Sequence, residues 1–440
     1  MNVTIEPRRL SGTVTPPGSK SMAHRLLIAA ALASGVSVAE RVAPSEDIEA
    51  TLRCLAALGA EWRVQGETYH VTGIGAFPPS VALRRHLPPK GGDNLTAPDC
   101  GESGDMLPLL DCGESGDTLP LLDCGESGST LRFLIPIALA VKGGGAFTGR
   151  GRLMSRPQSP YLQLFDEKSI FHNQSGDALT VRGRLTPGLY RLPGDVSSQF
   201  FTGLLFALSC LDGESTLESV TPLQSAPYVR MTLDALSTAG ISVAVPDDRR
   251  FVVRGQPYRA FHAAVETDWS QAAFWYAANF AGAEIDIQGL NYASAQGDKA
   301  IAQLYGRMKA DGETAIDVSD CPDLLPPLAV MAAARCGSTR FVNAARLRMK
   351  ESDRLSTVAR MLRALGVTAE EGADFLSVTG GTLTGGAVDG ANDHRIVMAA
   401  AVAACASTEP VTITGADAVR KSYPDFWTHY QSLGGEIHVL

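Results

Sequence analysis

The sequence predicts a two-domain α/β protein built from six similar units, in each of which one helix is buried. The chain has 440 residues, and a single hydrophobic core rarely grows beyond roughly 250–300 residues, so two domains are expected. One segment type, a polar cluster followed by an apolar run rich in small residues, occurs six times. An amphipathic segment follows each of them at a nearly constant distance, with strand-like runs between.

The six apolar segments are predicted to be buried helices, because apolar residues cover nearly their whole surface. Each begins with polar residues, and the free N–H groups at a helix start suit phosphates and carboxylates. Simple N-capping explains any one of them equally well, but six such starts that carry Lys20, Arg25, Arg132 and Arg395 favour an anion site. The segments are 19–33, 127–140, 197–209, 268–281, 322–334 and 392–406.

A second helix is predicted to begin 27 to 30 residues after the start of each buried one. The predicted starts lie near Asp47, Arg156, Ser225, Asp298, Glu351 and Tyr423. Four of these helices end at a glycine, which adopts the left-handed conformation of a C-cap at low cost: Gly59, Gly240, Gly366 and Gly434. Strand-like runs are 36–42, 251–254, 284–288, 339–342, 375–379 and 411–414.

Composition excludes several classes of function. The net charge of −9 argues against nucleic acid or an anionic membrane as a partner. The eight cysteines show neither a CxxC pair nor a metal-binding Cys/His spacing, so we expect no metal and a cytoplasmic protein. The apolar run 26–33 has eight residues, too few for a membrane span, and is interpreted as part of a buried helix rather than a signal peptide.

A 12-residue unit occurs three times in tandem, as DCGESGDMLPLL from Asp99, DCGESGDTLPLL from Asp111 and DCGESGSTLRFL from Asp123. The first two copies, residues 99–122, look like an insertion, because the spacing of the buried helices is longest here. Each of the two contains a proline, which breaks helices. We therefore expect residues 99–122 to form a loop and the third copy to be the functional one.

A set of short motifs in a fixed order gives the chain its strongest resemblance. The motifs are PGSKSMAHR (17–25), CGESGSTLR (124–132), RP (156–157), SSQF (197–200), SAPY (225–228), PD (322–323), MKESDR (349–354), NDHR (392–395) and RKSYPD (420–425). With these motifs the chain resembles the 3-phosphoshikimate 1-carboxyvinyltransferases (EPSP synthases), a family of enolpyruvyl transferases, along nearly its whole length.

The resemblance implies the two-domain enolpyruvyl-transferase fold, an inside-out α/β barrel in which each domain holds three βαβαββ-type units with buried parallel helices. The N-terminal domain is expected to span residues 20–265, including the insertion at 99–122. The C-terminal domain is expected to comprise residues 1–19 and 266–440. A cleft between them would close on the substrates and exclude water. A monomer is expected.

The implied reaction transfers the enolpyruvyl group of phosphoenolpyruvate to the 5-hydroxyl of shikimate 3-phosphate, giving 5-enolpyruvylshikimate 3-phosphate and phosphate. It proceeds by addition and elimination through a tetrahedral intermediate, which requires a base and an acid. By the resemblance, Asp323 accepts the hydroxyl proton, Lys20 and Glu351 shuttle protons in an order left open, and His394 lies beside phosphoenolpyruvate or the leaving phosphate. No metal or organic cofactor is implied. Shikimate 3-phosphate is expected to bind first.

Both substrates are phosphorylated carboxylates, and arginine binds such groups in bidentate fashion. Without the resemblance, Asp323 reads as a helix cap, Glu351 and Arg354 as a solvated surface, and Gly128 as a turn. With it, shikimate 3-phosphate is expected on Lys20, Ser21, Arg25, Ser197, Ser198, Gln199, Ser225, Tyr228, Asp323 and Lys350. Phosphoenolpyruvate is expected on Lys20, Gly128, Arg132, Arg156, Gln199, Arg354, Arg395 and Lys421.

Some positions depart from the family pattern. Arg346 stands where some relatives have a phosphate-contacting Asn, so that role is not carried over, and residues 165–177 do not read as a typical strand and turn. Ser129 and Thr130 leave tolerance to the inhibitor glyphosate open. One alternative is the sister transferase that acts on UDP-N-acetylglucosamine, although Cys124 precedes the loop glycine. The other is a catalytically impaired protein that only binds phosphometabolites.

Overall fold

Helices of two kinds alternate along the chain. The computed structural model describes residues 1–75 and 118–440. In that part the odd-numbered helices are buried on nearly all sides, which confirms the six predicted buried helices. The helices are α1 Lys20–Leu32, α2 Glu46–Ala57, α3 Gly128–Lys142, α4 Ser159–Glu167, α5 Ser198–Leu208, α6 Ala226–Thr238, α7 Trp269–Phe280, α8 Ala300–Met308, α9 Leu325–Ala334, α10 Arg354–Ala364, α11 His394–Ala403 and α12 Phe426–Ser432. None of these helices is long and apolar enough to cross a membrane.

The strands are short and lie between the helices. The six predicted strand-like runs are confirmed to within a few residues. The strands are β1 Val3–Ile5, β2 Ser11–Val14, β3 Ser34–Glu40, β4 Glu61–Gln65, β5 Thr68–Ile74, β6 Leu121–Asp123, β7 Gly144–Thr148, β8 Phe171–Ser175, β9 Ala178–Arg182, β10 Leu189–Leu192, β11 Glu214–Ser219, β12 Val243–Asp247, β13 Arg250–Arg254, β14 His262–Ala264, β15 Glu284–Ile287, β16 Gly312–Asp317, β17 Gly337–Val342, β18 Thr368–Glu371, β19 Phe375–Thr379, β20 Gly386–Asp389, β21 Val411–Thr414 and β22 Ile437–Val439.

The described strands repeat one small sheet. Five sheets have four strands, in the orders β14-β3-β5-β4, β6-β7-β9-β8, β10-β11-β13-β12, β16-β17-β19-β18 and β20-β21-β1-β22. In each of them the first pair is parallel and the other two pairs are antiparallel. A sixth, two-stranded sheet pairs β15 with β2 in parallel. A parallel pair needs a crossover helix, and the buried helices supply it, as in β6-α3-β7.

Two separate hydrophobic clusters lie in the described residues. One joins buried residues from Ala23 to Val265, and the other joins Val3–Val14 with Trp269–Leu433. We call residues 20–265 the N-terminal half and residues 1–19 with 266–440 the C-terminal half. We propose that these halves are the two expected domains, because each has its own core.

Three of the second helices begin later than the sequence suggested. Helix α4 begins at Ser159, after an extended Arg156, because the residue before a proline avoids the helical region and Pro157 follows. Helix α10 begins at Arg354 with Asp353 as its N-cap. Helix α12 begins at Phe426, just after Pro424. The four predicted glycine stops all have the expected left-handed φ, between 80° and 104°.

The predicted loop at 99–122 is wrong at its end. Residues 99–117 lie outside the described residues, but Leu121 and Leu122 belong to β6, which pairs in parallel with β7. Leu122 is completely buried. The second copy of the repeat thus supplies the strand that leads into α3. Because the copies are nearly identical, their sequence could not show which one joins the sheet.

Residues 165–177 form regular structure despite their unusual sequence. Strands β8 and β9 form an antiparallel hairpin from Phe171 to Arg182. Its turn contains Gly176 with a φ of 56°, a conformation that glycine adopts without strain. The segment therefore completes its sheet in the same way as the other units.

Candidate active site

A cleft between the two halves gathers the predicted residues. It encloses about 980 Å³ of empty space, part of it open to solvent. Eight cationic side chains and three carboxylates line it, a surplus of five positive charges in a chain whose net charge is −9. The cations are Lys20, Arg25, Arg132, Arg156, Arg346, Lys350, Arg354 and Arg395, and the carboxylates are Asp47, Asp323 and Glu351.

Starts of buried helices bring these residues together. At several of them the residue before the helix caps it: the side chains of Ser19, Ser127, Ser197 and Asp393 accept backbone N–H groups. The next residues, among them Lys20, Gly128, Ser198 and His394, line the cleft. N-capping and site formation, which the sequence presented as alternatives, are therefore divided between neighbouring residues.

The N-terminal half contributes several hydrogen-bond donors, some of which have no partner. Arg132 Nη1 donates to Gln199 Oε1 at 2.9 Å, and Gln199 Nε2 donates to Ser129 Oγ at 3.0 Å. The Nε atoms of Arg132 and Arg156 are buried and have no hydrogen-bond partner among the described residues. Burial and the neighbouring Arg156 lower the pKa of Arg132 to about 9, so it remains charged at neutral pH. Such donors suit an anionic ligand.

Gly128 leaves space that a side chain would fill. A Cβ placed on it would lie 2.4 Å from Arg156 Nη1. The backbone of the α3 start and the Arg156 guanidinium therefore approach each other as closely as they do only because residue 128 is glycine. The alternative interpretation of Gly128 as a turn does not hold, because Gly128 is the first residue of a helix.

Lys20 and Arg25 are already occupied within the N-terminal half. Lys20 Nζ donates to Asp47 Oδ2 at 2.6 Å. Arg25 is 2% exposed, and it donates to Ser21 O, Thr232 Oγ1 and Tyr228 O at 2.6–3.0 Å. Burial lowers the pKa of Arg25 to about 10, so it stays charged. Its position is fixed by these contacts before any ligand binds.

Arg354 is the centre of the C-terminal wall. It is 1% exposed and donates to three carboxylates: to Asp323 Oδ1 at 2.7 Å, to Glu351 Oε2 at 2.5 Å and to Asp393 Oδ2 at 2.9 Å. These carboxylates raise its pKa against the effect of burial. Without the resemblance, Glu351 and Arg354 read as a solvated surface. The structure instead joins them in one ionic network in which Arg354 is buried.

Asp323 is held ionised by cations. Its Oδ1 lies 3.4 Å from Lys350 Nζ, and its Oδ2 accepts from Arg395 Nη2 at 3.0 Å. Burial alone would raise the pKa of Asp323, but Arg395, Lys350 and Arg354 hold it well below the usual value. Asp323 lies in a 3₁₀ turn before α9, and that helix has no side-chain cap. The capping interpretation of Asp323 is therefore wrong.

Glu351 connects the two halves. Its Oε1 lies 3.2 Å from Arg156 Nη2 of the N-terminal half, and its Oε2 is bound to Arg354. Burial alone would raise the pKa of Glu351, but Arg354 and Arg156 lower it well below the usual value. Glu351 is therefore a carboxylate at neutral pH.

His394 is buried and unpaired. Neither ring nitrogen has a hydrogen-bond partner among the described residues, and the side chain lines the cleft at 2% exposure. Burial, with Lys20 and Arg395 nearby, lowers the pKa of His394 well below 6.5. A neutral imidazole thus offers both a donor and an acceptor to a ligand.

All but one of the predicted site residues line this cleft. The exception is Lys421, which is 5% exposed and donates to Glu126 Oε2 at 2.6 Å and to Asn392 O at 2.8 Å. Glu126 belongs to the N-terminal half, so this contact also crosses between the halves. Glu126 lies in the loop just before Gly128.

Sequence reasoning missed several residues of the cleft. Arg346 Nη2 donates to Ser225 Oγ at 2.7 Å and also to Ser319 O, and so bridges the halves. The signal for Asp47 was its place at the start of α2, one repeat after Lys20, but pairing between them depends on tertiary packing. The others missed are Ser129, Phe133, Val196, Pro322 and Met349. In residues 1–75 and 118–440, no group of three or more His, Cys, Asp or Glu side chains could hold a metal ion.

Comparison with known proteins identifies the family of the chain. A family model described as EPSP synthase (3-phosphoshikimate 1-carboxyvinyltransferase) matches residues 5–87 and 113–430. The 3-phosphoshikimate 1-carboxyvinyltransferases of Clostridium novyi (strain NT) and Clostridium kluyveri are 39% and 40% identical, each over 99% of this chain and 98% of the relative.

Two solved structures share the fold. An EPSP synthase from Acinetobacter baumannii has a TM-score of 0.75 at 21% identity over 100% of both chains. The enolpyruvyl transferase NikO from Streptomyces tendae has a TM-score of 0.73 at 18% identity, over 99% of this chain and 98% of the other. The two-domain enolpyruvyl-transferase fold is thereby confirmed. Together with the family match, these findings show that the chain belongs to the EPSP synthase (3-phosphoshikimate 1-carboxyvinyltransferase) family.

Proposed function

We propose that the chain transfers the enolpyruvyl group of phosphoenolpyruvate to the 5-hydroxyl of shikimate 3-phosphate, the activity named for its family. One observation carries the proposal: a cleft with five surplus positive charges holds two ionised carboxylates, Asp323 and Glu351, beside an unpaired neutral His394. Binding two anionic substrates explains the charge. It does not explain buried acid–base groups, which proton transfer requires.

Shikimate 3-phosphate is proposed to lie against the N-terminal wall, where the cleft serines are concentrated. Ser21, Ser197, Ser198 and Ser225 with Gln199 offer hydroxyl and amide groups to its hydroxyls and phosphate. Arg25 is engaged by three N-terminal oxygens, so its proposed role is mainly to hold Ser21 and Tyr228 in place. Its charge still favours an anion nearby.

Phosphoenolpyruvate is proposed to lie between Gly128 and the C-terminal arginines. Arg132 and Arg156 have free donors there, and Arg395 has a buried Nε without a partner. Its phosphate and carboxylate would compete with Asp323 and Glu351 for these cations. Binding thus converts internal ion pairs into ligand contacts, so the site need not bury new unpaired charge.

This exchange gives Asp323 its proposed role as the base. Before binding, Arg395, Lys350 and Arg354 hold its pKa well below the usual value, and a carboxylate of such low pKa is a weak base. When phosphoenolpyruvate takes part of the cations' charge, the pKa of Asp323 rises. The base is therefore strengthened only when the electrophile is present.

Two groups remain candidates for the proton transfer at C3 of phosphoenolpyruvate. Lys20 carries protons on Nζ but is paired with Asp47 at 2.6 Å. Glu351 is ionised, and it must take a proton before it can donate one. We propose that the two shuttle protons together, as the resemblance implies. His394, as a neutral imidazole, is proposed to donate a hydrogen bond to the leaving phosphate.

Lys421 is proposed to exchange partners. It is bound to Glu126 and Asn392 O and does not line the cleft. A phosphoenolpyruvate oxygen bound to Lys421 would compete with Glu126 for the ammonium charge, although Nζ has three donors and only two are engaged by described residues. The Glu126 carboxylate would then stand in for the substrate in the unliganded protein.

The buried state of Cys124 argues against the sister activity on UDP-N-acetylglucosamine. Cys124 is completely buried, and its Sγ contacts Leu122 O. Burial, with a smaller effect of the adjacent Cys54, raises the pKa of this thiol well above its usual value. Nucleophilic cysteines are exposed and have lowered pKa values, so Cys124 is not suited to covalent chemistry.

The test is release of phosphate from both substrates together, with each omitted in turn and with UDP-N-acetylglucosamine as the other acceptor. We expect release only with phosphoenolpyruvate plus shikimate 3-phosphate. Asp323→Asn should lower kcat by about 10²–10⁴-fold, the usual contribution of a general base. The exposed Asp286→Asn, in the same half, is the control.

Binding of shikimate 3-phosphate without any phosphate release would instead support the impaired binding protein. A variant lacking residues 99–110 keeps the second copy that supplies β6, and it shows whether the extra repeat suppresses activity. Size-exclusion chromatography with light scattering tests the proposed monomer, which predicts a mass near 46.4 kDa.

A further inference from the structure

A line of three side chains leads from the cleft into the C-terminal half. The Tyr228 hydroxyl lies 3.4 Å from Asp323 Oδ2 and 3.0 Å from Asp298 Oδ2. Asp298 is 3% exposed and does not line the cleft. The sequence had marked it only as the start of a helix, but its side chain is directed to Tyr228.

Asp298 is a buried acid with no cation bound to it in the described part of the chain. Among the described residues it forms no ion pair, and its Oδ1 has no hydrogen-bond partner at all. The neighbouring Asp268 also forms no ion pair among the described residues, but it accepts three backbone N–H groups. Asp323, only one hydroxyl away from Asp298, contacts three cations. A buried carboxyl that lacks a counter-charge is costly as an anion and favours the protonated form.

The groups that face Asp298 explain its proton affinity. Burial and then the negative charge of Asp323 raise its pKa, Asp268 adds to this, and Arg395 and the Tyr228 hydrogen bond oppose it, which leaves the pKa at about 7. Cys321 also lies nearby, with a raised pKa. Burial raises the pKa of Tyr228 itself well above 10, so its hydroxyl keeps one proton throughout.

We propose that Asp298 is a positioning residue that acts on the base through Tyr228, by receiving the proton that Asp323 takes from the acceptor hydroxyl. This inference rests on the proposed function. It adds to that function a destination for the proton inside the closed cleft. The three side chains supply the path, and no water is required.

The step balances as follows. The acceptor O–H bond breaks as its oxygen bonds to C2 of phosphoenolpyruvate. The C2=C3 double bond opens and C3 takes a proton from the Lys20–Glu351 pair, while the hydroxyl proton passes to Asp323. The Tyr228 oxygen accepts that proton and gives its own to Asp298 Oδ2, so Asp323 is ionised again and Asp298 is neutral. When the C2–O bond to phosphate breaks, C3 returns its proton to the Lys20–Glu351 pair as the C2=C3 double bond re-forms, and the proton on Asp298 returns along the same line and leaves on phosphate. The three side chains end as they began.

A purely structural role is the competing explanation, since Asp298 also fixes the Tyr228 hydroxyl. Asp298→Asn separates the two, because its amide oxygen still accepts the hydrogen bond but the group cannot take a proton at neutral pH. Tyr228→Phe removes the link and keeps the ring. Asp286→Asn again serves as the exposed control in the same half.

The experiment measures phosphate release by the full chain from pH 5.5 to 9, with the KM of each substrate and circular dichroism for folding. In the wild type we expect kcat to fall below pH 7, because a protonated Asp298 cannot receive the proton. In Asp298→Asn we expect both KM values to change less than about threefold. Its kcat should be about 10–100-fold lower, and the fall below pH 7 should be lost. In Tyr228→Phe the fall of kcat below pH 7, the acid limb of the profile, should also be lost.

Either of two results would overturn the inference while the proposed function stands. One is an active wild type with an unchanged kcat in Asp298→Asn. The other is a lowered kcat whose pH profile keeps its acid limb, which would show a structural role only. If Asp298→Asn does not fold, the pH profile of Tyr228→Phe decides between the same outcomes. A wild type that releases no phosphate would refute the proposed function itself.

Discussion

The two walls of the cleft use similar residues in opposite ways. The N-terminal wall carries the cleft serines and leaves Nε atoms of Arg132 and Arg156 without partners. On the C-terminal wall, Arg354 is saturated by three carboxylates, and Asp323 by three cations. The free donors of the N-terminal wall need a ligand to complete their hydrogen bonds, whereas the ion pairs around Arg354 and Asp323 are already complete and must be rearranged. On the C-terminal wall the unpaired groups among the described residues are the His394 ring and the Nε atoms of Arg346 and Arg395.

This difference shows how one site can bind anions and still contain bases. Free donors on one wall supply affinity, because a ligand satisfies buried groups that are otherwise unpaired. Paired charges on the other wall keep the carboxylates ionised in a buried place. Their basicity then depends on how far a ligand draws the cations away.

We call the C-terminal wall, with its ion pairs, the paired wall, and the N-terminal wall, with its free donors, the open wall. The largest expected effect comes from removing the centre of the paired wall. Arg354→Met should lower the free energy of unfolding by about 3–5 kcal/mol, because Asp393, Glu351 and Asp323 lose a shared buried partner. The matched variant on the open wall, Arg156→Met, should cost less than half as much. It loses one ion pair, to Glu351, which keeps Arg354. Urea denaturation measures both, and equal losses would contradict the contrast between the walls.

The paired wall should also dominate the response of stability to acid. The folded pKa of Glu351 lies below its unfolded value, so the unfolded state binds more protons. Its stabilisation is present above the unfolded pKa and is lost as the pH falls through the folded one.

The test compares the wild type with Glu351→Gln from pH 6 to pH 3. The difference in free energy of unfolding between the two proteins should be largest at pH 6. It should decrease by at most about 1.4 kcal/mol per pH unit, the limit for one proton. Glu284→Gln, which removes an exposed carboxylate, should show no such decrease. A difference that is constant with pH would mean that Glu351 is not held ionised by the network.

A smaller effect is expected where the open wall is most crowded. Gly128→Ala places a Cβ 2.4 Å from Arg156 Nη1, so the guanidinium must move at a cost of about 1–3 kcal/mol. That corresponds to about a 5- to 150-fold rise in the KM for phosphoenolpyruvate, with little change for shikimate 3-phosphate. Gly306→Ala, in a helix with open space around it, is the control. An unchanged KM would place phosphoenolpyruvate away from Arg156.

The smallest effect should come from the bond between Glu126 and Lys421, which joins the two halves. Glu126→Gln weakens the bond to Lys421. The Glu126 side chain is 30% exposed and the Lys421 side chain 6% exposed. If phosphoenolpyruvate competes with Glu126, its KM should fall by about two- to fivefold, as for a partly exposed pair worth up to about 1 kcal/mol. Lys421→Met should raise that KM. If neither variant changes the KM, Lys421 does not bind phosphoenolpyruvate.

Much of the fold could be predicted because it repeats. Six apolar helices, four glycine stops and six of the strands follow from local periodicity and capping. Two of those strands lie in the sheet β16-β17-β19-β18 and none in β6-β7-β9-β8. The short edge strands are not among those predictions: in β4, Trp62 and Val64 alternate with polar residues over only five positions, and all five are exposed. Nor could the sequence choose which repeat copy forms β6, because the copies are nearly identical.

For the site, sequence motifs at helix starts identify the ionisable residues: Lys20, Asp323, Glu351, His394 and the arginines. Their partners depend on tertiary packing. The bonds from Arg354 to Asp323, from Tyr228 to Asp323 and from Lys421 to Glu126 join residues 31 to 295 positions apart in the chain. The physical reason is that propensity and capping act within a few residues along the chain. Ion pairs, burial and the pKa values they set depend on which segments meet across the cleft.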